Sequence, residues 1–188
     1  MNLLITGVLR WVVVHLMPSL APGIRNSLVA MMGEKPYRGV FALAILTGLA
    51  LIVVGWRSTP EEFVYVLPPS ARLFAFVLIC TAFILIGAAH HPSSITRVFR
   101  HPMLSGVAAW AAGHLLVNGS TRAIVLFGGL GAWALIEIIA INRRDGACEK
   151  PARPEFSEEL KGTFFSAGIL LILLFLHPYF AGVSPFPR

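Results

Sequence analysis

Two histidines lie inside apolar segments of the sequence that carry almost no charge. His114 follows Trp110 by four residues, and His15 follows Trp11 by the same interval, so that Trp-x3-His occurs twice. In a helix, this spacing places the indole one turn away from the imidazole. Ionisable groups inside a membrane span are costly, and each is therefore a candidate functional residue.

A neutral imidazole is a common side-chain ligand of metals and of haem iron. Beside His114, a stripe of small residues (Gly106, Ala109 and Gly113) would let a neighbouring helix or a flat ligand come close. Two Trp-His pairs could therefore hold one planar ligand between them, provided that His15 reaches the same depth as His114. The alternative is that each histidine forms a hydrogen bond to another helix.

Three further polar residues are candidates for the same site. His101 lies about 20 Å along the helix from His114 and about 220° around it, so the two cannot share a metal. With Arg100, it could hold a carboxylate or phosphate at the mouth of the site, or simply begin a solvated helix. Glu137 is the carboxylate inside a span. It could form an ion pair with Arg10 or a basic loop residue, or it could accept a hydrogen bond from the second ring nitrogen of a ligating histidine.

The composition is that of a membrane protein. Of the 188 residues, 56% are hydrophobic and only 13% are charged, and the mean hydropathy is +0.77. Soluble domains carry about 25% charged residues. The net charge of +6 falls mostly between apolar runs, so no nucleic-acid-binding stripe is expected. No phosphate loop, dinucleotide fingerprint, nucleophile elbow or His-Glu-x-x-His zinc motif is present in the sequence.

The apolar runs predict an all-α, polytopic transmembrane bundle of about six spans. The predicted spans are 2–20, 38–56, 71–89, 103–117, 123–141 and 164–180. The runs are continuous and do not alternate, which favours helices over a barrel. The fourth run is short for a bilayer of about 30 Å, so five spans are the alternative. We expect one integral membrane domain over residues 1–188, with 142–162 as a polar cytoplasmic loop.

Basic residues are unequally divided between the two sets of loops. The loops after the first, third and fifth spans hold Arg25, Lys35, Arg38, Arg97, Arg100, Arg143, Arg144, Lys150, Arg153 and Lys161. The other side holds only Arg57, Arg72, Arg122 and Arg188. The positive-inside rule therefore predicts that the richer loops are cytoplasmic, in a multi-pass protein of the bacterial inner membrane. We also expect the first segment to be retained and Cys80 and Cys148 to be free thiols.

The sequence resembles the NnrU family of bacterial membrane proteins. The motifs that carry the resemblance are Arg-His-Pro-Met-Leu at 100–104, Trp-x3-His-Leu-Leu-x-Asn-Gly at 110–119 and Leu-Phe-Gly at 126–128. His15 followed by Pro-Gly-x-Arg at 22–25, and Gly-Glu-Lys-x-Tyr-Arg-Gly at 33–39, fit the same family. The match covers roughly residues 1–144.

The resemblance implies a link to denitrification and nitric oxide metabolism. The family is related to the plant 15-cis-zeta-carotene isomerase, a membrane haem b enzyme with histidine ligands, and the corresponding positions here are His15 and His114. It therefore implies haem b as the cofactor, beside Trp11, Trp110, Gly106 and Gly113. The plant enzyme has a cysteine three residues before its second histidine; this chain has Ala111 there, so a cysteine-for-histidine ligand exchange is not expected.

The leading hypothesis is a haem protein that isomerises an apolar polyene or handles nitric oxide, with no catalytic residue assigned. One alternative is a non-enzymatic accessory protein for a nitric oxide reductase, with a membrane protein as partner and structural histidines. The other is a lipid or isoprenylcysteine-type methyltransferase, whose Arg-His-Pro-x-Tyr-x-Gly motif is similar to residues 100–106 except for Leu104. Glu158–Glu159 only weakly suggests the acidic pair of those enzymes.

Overall fold

The chain folds into a bundle of helices in a computed structural model that describes residues 1–147 and 150–182. The helices are α1 (Asn2–Leu20), α2 (Pro22–Met32), α3 (Glu34–Ser58), α4 (Ala71–Ala88), α5 (Pro102–Val117), α6 (Thr121–Asp145) and α7 (Phe156–Ala181). Within the described ranges there is no strand, and Phe63 and Ser120 form only an isolated bridge. The all-α class predicted from the sequence is confirmed.

Five of the described helices, α1, α3, α4, α6 and α7, are long and apolar enough to cross a membrane. Helix α5 has 16 residues, a length of about 24 Å, which is less than the hydrocarbon core of about 30 Å. The expected six spans are therefore five spans and one short apolar helix, and the short member is the run identified in the sequence. The chain is a multi-pass membrane protein.

The helix bounds differ from the sequence prediction mainly around the first connection. Helix α1 continues through Pro18 to its end at Leu20, and a new helix, α2, begins at Pro22. The sequence predicts a loop between the first and second spans, where the structure has α2. Pro22 at the first helical position and Gly33 after the last, with φ of 86°, are ordinary start and stop signals that would have identified α2. The predicted loop 142–162 is also shorter, because α6 extends to Asp145 and α7 begins at Phe156.

Polar contacts join the connections at each end of the bundle. At the end that holds the arginine-rich loops, called here the basic end, Ser94 donates to the carboxylate of Glu159 and Arg97 donates to the carbonyl of Pro151. At the opposite end, Arg122 forms an ion pair with Glu61 at 3.0 Å. Its guanidinium also lies over the Trp56 ring, 4.5 Å from the centroid. Each loop set is thus fixed to the helix ends beside it.

The helices pack in an order that differs from their order in the chain. Helix α1 packs against α3 and α6, α5 packs against α6 and α4, and α4 packs against α7. Two pairs, α1 with α3 and α4 with α5, make the most extensive contacts. Helix α6 lies between these pairs and contacts one member of each. Cys80 on α4 is a free thiol, as expected, and Cys148 lies outside the described residues.

Glycines allow the backbones of each pair to come close together. A Cβ atom added at Gly55 of α3 would lie 2.3 Å from the backbone nitrogen of Leu4, and one at Gly7 of α1 would lie 2.7 Å from that of Ile52. Helices in a bilayer gain little from the hydrophobic effect and associate through close packing of small residues. These glycines are therefore structural requirements of the α1–α3 pair.

We predict that Gly55→Ala destabilises the protein by about 1–3 kcal/mol, because the new methyl group meets backbone atoms that cannot rotate away. The matched control is Gly39→Ala, on the same helix, where an added Cβ meets nothing within 4 Å. The control should be neutral or slightly stabilising, because alanine favours the helix. Reversible unfolding in mixed detergent micelles measures both variants. Equal stability of the two would contradict the proposed packing role of Gly55.

Candidate ligand-binding site

The two Trp-x3-His turns adopt the same local arrangement. Nδ1 of His15 lies 2.8 Å from the carbonyl oxygen of Trp11, and Nδ1 of His114 lies 2.9 Å from that of Trp110. Because a carbonyl only accepts, each Nδ1 must carry a proton, and in the neutral ring Nε2 is then the nitrogen with a lone pair. A hydrogen bond of this kind to the remote ring nitrogen orients most metal-ligating histidines.

Aromatic rings hold His15 on three sides. Its ring stacks on Trp11 with centroids 4.2 Å apart, and it meets Trp133 edge-on at 4.9 Å and Phe41 at 6.1 Å. Trp133, from α6, is only 7% exposed. The imidazole of His15 is thus fixed between α1, α3 and α6.

His15 lines an interhelical cavity of about 870 Å³. This volume lies within the range of pockets that bind small molecules and cofactors, about 300–1,000 Å³. The lining residues come from α1, α4, α5, α6 and α7 and the start of the α4–α5 connection: Trp11, His15, Phe83, Ile86, Gly87, His90, Met103, Leu104, Val107, Trp110, Leu130, Trp133, Glu137, Ile141, Phe165, Ser166, Ile169 and Leu173. Most of these side chains are apolar, so the cavity suits a large apolar ligand.

His114 has different surroundings from His15 and does not line this cavity. Its ring stacks on Phe127 of α6 with centroids 4.4 Å apart, and it lies 6.5 Å from the ring of His177 on α7. Phe127 precedes Trp133, the neighbour of His15, by six residues, or about 9 Å along α6. The two predicted ligands therefore do not meet across one space in this structure.

The small-residue stripe of α5 faces a helix. A Cβ atom added at Gly106 would lie 2.7 Å from the Ile86 side chain and 2.8 Å from the Ala82 carbonyl oxygen. One added at Gly113 would lie 3.0 Å from Ile79. The sequence predicts that this stripe contacts either a neighbouring helix or a flat ligand. In the structure it contacts helix α4.

Glu137 lies at the cavity and is only 6% exposed. The hydroxyl of Ser19 donates a hydrogen bond to its Oε1 atom. Arg10, one of its predicted partners, donates instead to the carbonyl of Ala44 and the hydroxyl of Thr47 on α3. The predicted pairing of Glu137 with Arg10 is therefore not formed.

Arg100 and His101 lie at the basic end and bind the end of α6. Nε2 of His101 lies 2.9 Å from Oδ1 of Asn142, and Arg100 donates to the carbonyl oxygen of Gly146. Neither residue lines the cavity. Both side chains hold the α6–α7 connection in place.

Sequence reasoning missed two members of the site, Ser19 and Trp133. Both were detectable from helical spacing. Ser19 follows His15 by four residues, as His15 follows Trp11, so all three lie on one face of α1. Trp133 precedes Glu137 by the same interval on α6.

Comparison with known proteins identifies a family. A family model described as NnrU protein matches residues 3–185, nearly the whole chain. The match extends past the motifs in the first 144 residues to include the C-terminal helix. No curated protein and no solved structure matches the chain.

We predict that Ser19→Ala destabilises the protein by about 1–3 kcal/mol, because Oε1 of buried Glu137 loses its hydrogen-bond donor. The control is Ser70→Ala, an exposed serine with no side-chain cap bond, which should change stability by less than about 0.5 kcal/mol. In the double variant Ser19→Ala/Glu137→Leu, the loss should be smaller than the sum of the two single losses, because no buried carboxylate remains. Additive losses in detergent unfolding would contradict this account.

Proposed function

Because the chain belongs to the NnrU protein family, we propose that it is a membrane protein that binds haem b in the interhelical cavity, with His15 as an iron ligand. The main support is that a histidine with its Nδ1 proton tied to a backbone carbonyl lines an apolar cavity of about 870 Å³. In the neutral ring the lone pair is then on Nε2, and neutral imidazole is the form that binds iron. Bound haem would supply an iron centre for handling nitric oxide or for isomerising an apolar polyene.

The residues around His15 suit a haem ligand. Trp11 stacks on the imidazole and Trp133 meets it edge-on, so the ring cannot turn freely about χ2. The chain's own contribution would be to orient this ligand, to exclude water with apolar walls, and to keep the site inside the bilayer. A dry site of this kind controls both access to a bound metal and its electronic properties.

His114 fits less well as the second ligand. It does not line the cavity; its ring contacts Phe127 and Trp110, and the rings of those two residues lie 5.0 Å apart. Ligation of the same iron by His114 would therefore require a rearrangement of the residues around its ring. We therefore propose His15 as the principal ligand and His114 as a second ligand only after such a rearrangement.

The protein would lie in the bacterial inner membrane with its basic end in the cytoplasm, following the positive-inside rule. The described residues give less support to methyl transfer. Arg100 and His101 bind Gly146 and Asn142, and Glu159 binds Ser94, so these candidate methyltransferase residues are engaged in loop contacts.

The test is the visible spectrum of protein purified in mild detergent from haem-replete cells. We expect a Soret band that is lost in His15→Gly and restored by added imidazole, because the small molecule replaces the missing ring. His101→Gly is the matched control and should retain the wild-type spectrum, since His101 does not line the cavity. His114→Gly should keep the band, and a shift in its position would indicate ligation by His114.

A wild-type protein without a Soret band would contradict the proposal, as would a band unchanged in His15→Gly. A colourless protein that co-purifies with a stable membrane partner would favour the accessory role.

A further inference from the structure

A groove of about 430 Å³ lies between the end of α1, the start of α2 and the last turns of α6. It is separate from the cavity of the proposed function, because no residue lines both spaces. Two of its lining residues, Leu20 and Ile139, are 61% and 50% exposed, so the groove opens to the outer surface of the bundle. In a membrane-spanning protein, that surface faces lipid.

The wall of the groove is apolar and its rim at the basic end is cationic. The apolar lining residues are Leu20, Pro22, Ile136, Ile139 and Ala140. On α6, Ile136, Ile139 and Arg143 follow one another at intervals of three and four residues, so they lie on one face of the helix. The stripe is about 10 Å long. Because α6 ends at Asp145, its arginine lies where the span leaves the hydrocarbon core.

The rim has an arginine whose donors are available. Arg143 and Arg144 line the groove, and no carboxylate of a described residue does so. Arg144 forms an ion pair with Asp145 at 2.6 Å. The side chain of Arg143 is exposed and has no hydrogen bond or ion pair with any described residue. The groove therefore offers a free guanidinium to an anion at the end of an apolar wall.

We propose that this groove binds an anionic phospholipid from the leaflet at the basic end, with its phosphate at Arg143 and an acyl chain along Ile136 and Ile139. The planar fork of a guanidinium matches the oxygens of a phosphate. Basic pockets between membrane-spanning helices bind lipid headgroups in this way. The site lies outside the cavity around His15, so this inference goes beyond the proposed function and does not depend on haem.

Other occupants match the groove less well. A zwitterionic phospholipid brings an ammonium group, for which no described carboxylate lines the groove. An uncharged lipid leaves the guanidinium of Arg143 without a partner. A soluble phosphate ion pairs with Arg143 but leaves the apolar wall uncovered. An anionic head with an apolar tail satisfies both parts of the groove.

The experiment places the full-length protein in phosphatidylcholine nanodiscs that contain a small, varied fraction of lipid with a nitroxide on the acyl chain. The labelled lipid is either phosphatidylglycerol or phosphatidylcholine. The readout is the paramagnetic broadening of isoleucine methyl signals, which measures occupancy beside each residue. Ile84 is the internal control, because it is 53% exposed near the basic end of α4 and does not line the groove.

We expect labelled phosphatidylglycerol to occupy the groove about 5-fold more strongly than labelled phosphatidylcholine, as judged at Ile139. One arginine near an anionic headgroup contributes about this factor. At Ile84, the two labelled lipids should broaden the signal about equally. This comparison separates binding in the groove from ordinary contact with bulk lipid.

The variant Arg143→Gln should remove the preference at Ile139 and leave the two lipids about equal. Because Arg143 is exposed, this substitution should change stability by less than about 0.5 kcal/mol. The matched control is Arg153→Gln, which removes the same charge from an exposed position at the same end that does not line the groove. It should retain the wild-type preference.

Equal occupancy by the two lipids in the wild-type protein would overturn the inference and leave the groove with bulk lipid only. An equal loss of preference in Arg143→Gln and Arg153→Gln would also overturn it, because the effect would then come from surface charge in general. Displacement of phosphatidylglycerol by glycerol 3-phosphate would indicate a site for soluble anions instead. Displacement by oleate at an equal fraction would indicate a fatty-acid site, and either result contradicts the phospholipid assignment.

Discussion

Backbone contact at glycines holds each of the two main helix pairs together, and the cavity depends on it. Gly7 and Gly55 bring α1 and α3 into contact, and Gly106 and Gly113 do the same for α5 and α4. Within a bilayer, such contacts replace the hydrophobic effect as the source of helix association. Because each pair is closed along its own seam, the remaining space lies where the pairs face each other beside α6.

Helix α6 contacts one member of each pair, and it presents different side chains to them at different depths. Near the opposite end, a π-helical stretch, Ile124–Gly128, presents Phe127 to His114. Towards the basic end, Trp133 and Glu137 face His15 and Ser19 of α1. The two histidines therefore contact α6 at different depths in the bundle. The repeated Trp-x3-His motif therefore gives two similar local turns in two different environments.

Some polar groups inside the bundle have hydrogen-bond partners among the described residues, and others do not. Arg10 is satisfied by α3, since its guanidinium reaches a carbonyl and the Thr47 hydroxyl. Among the described residues, only one oxygen of Glu137 has a hydrogen-bond partner, and the indole N–H groups of Trp11 and Trp133 have none. Incomplete pairing of buried polar groups is costly, and all three of these residues line the cavity beside His15. The features that favour ligand binding are therefore concentrated on the His15 side.

The sequence by itself determined the fold class, the family, and most of the helix bounds. Hydropathy and the positions of proline and glycine can be read from the local sequence. For that reason α3, α4 and α5 begin and end within a few residues of their predicted limits. The i to i+4 spacing also predicted the contact of each histidine with its own tryptophan, because a helix fixes that geometry without help from other helices. The same spacing would have placed Ser19 beside His15.

Only the tertiary structure decided which side chains from different helices meet. The rotation and depth of a helix are set by its close contacts with neighbours, and a change of one turn moves a side chain by about 5.4 Å. For that reason the sequence could pair His15 with His114, whereas in the folded bundle they contact Trp133 and Phe127, two residues of α6 that are about 9 Å apart along that helix. For the same reason, the glycine stripe beside His114 contacts α4, and only the folded bundle brings Trp11, Trp133 and Glu137 to the wall of one cavity.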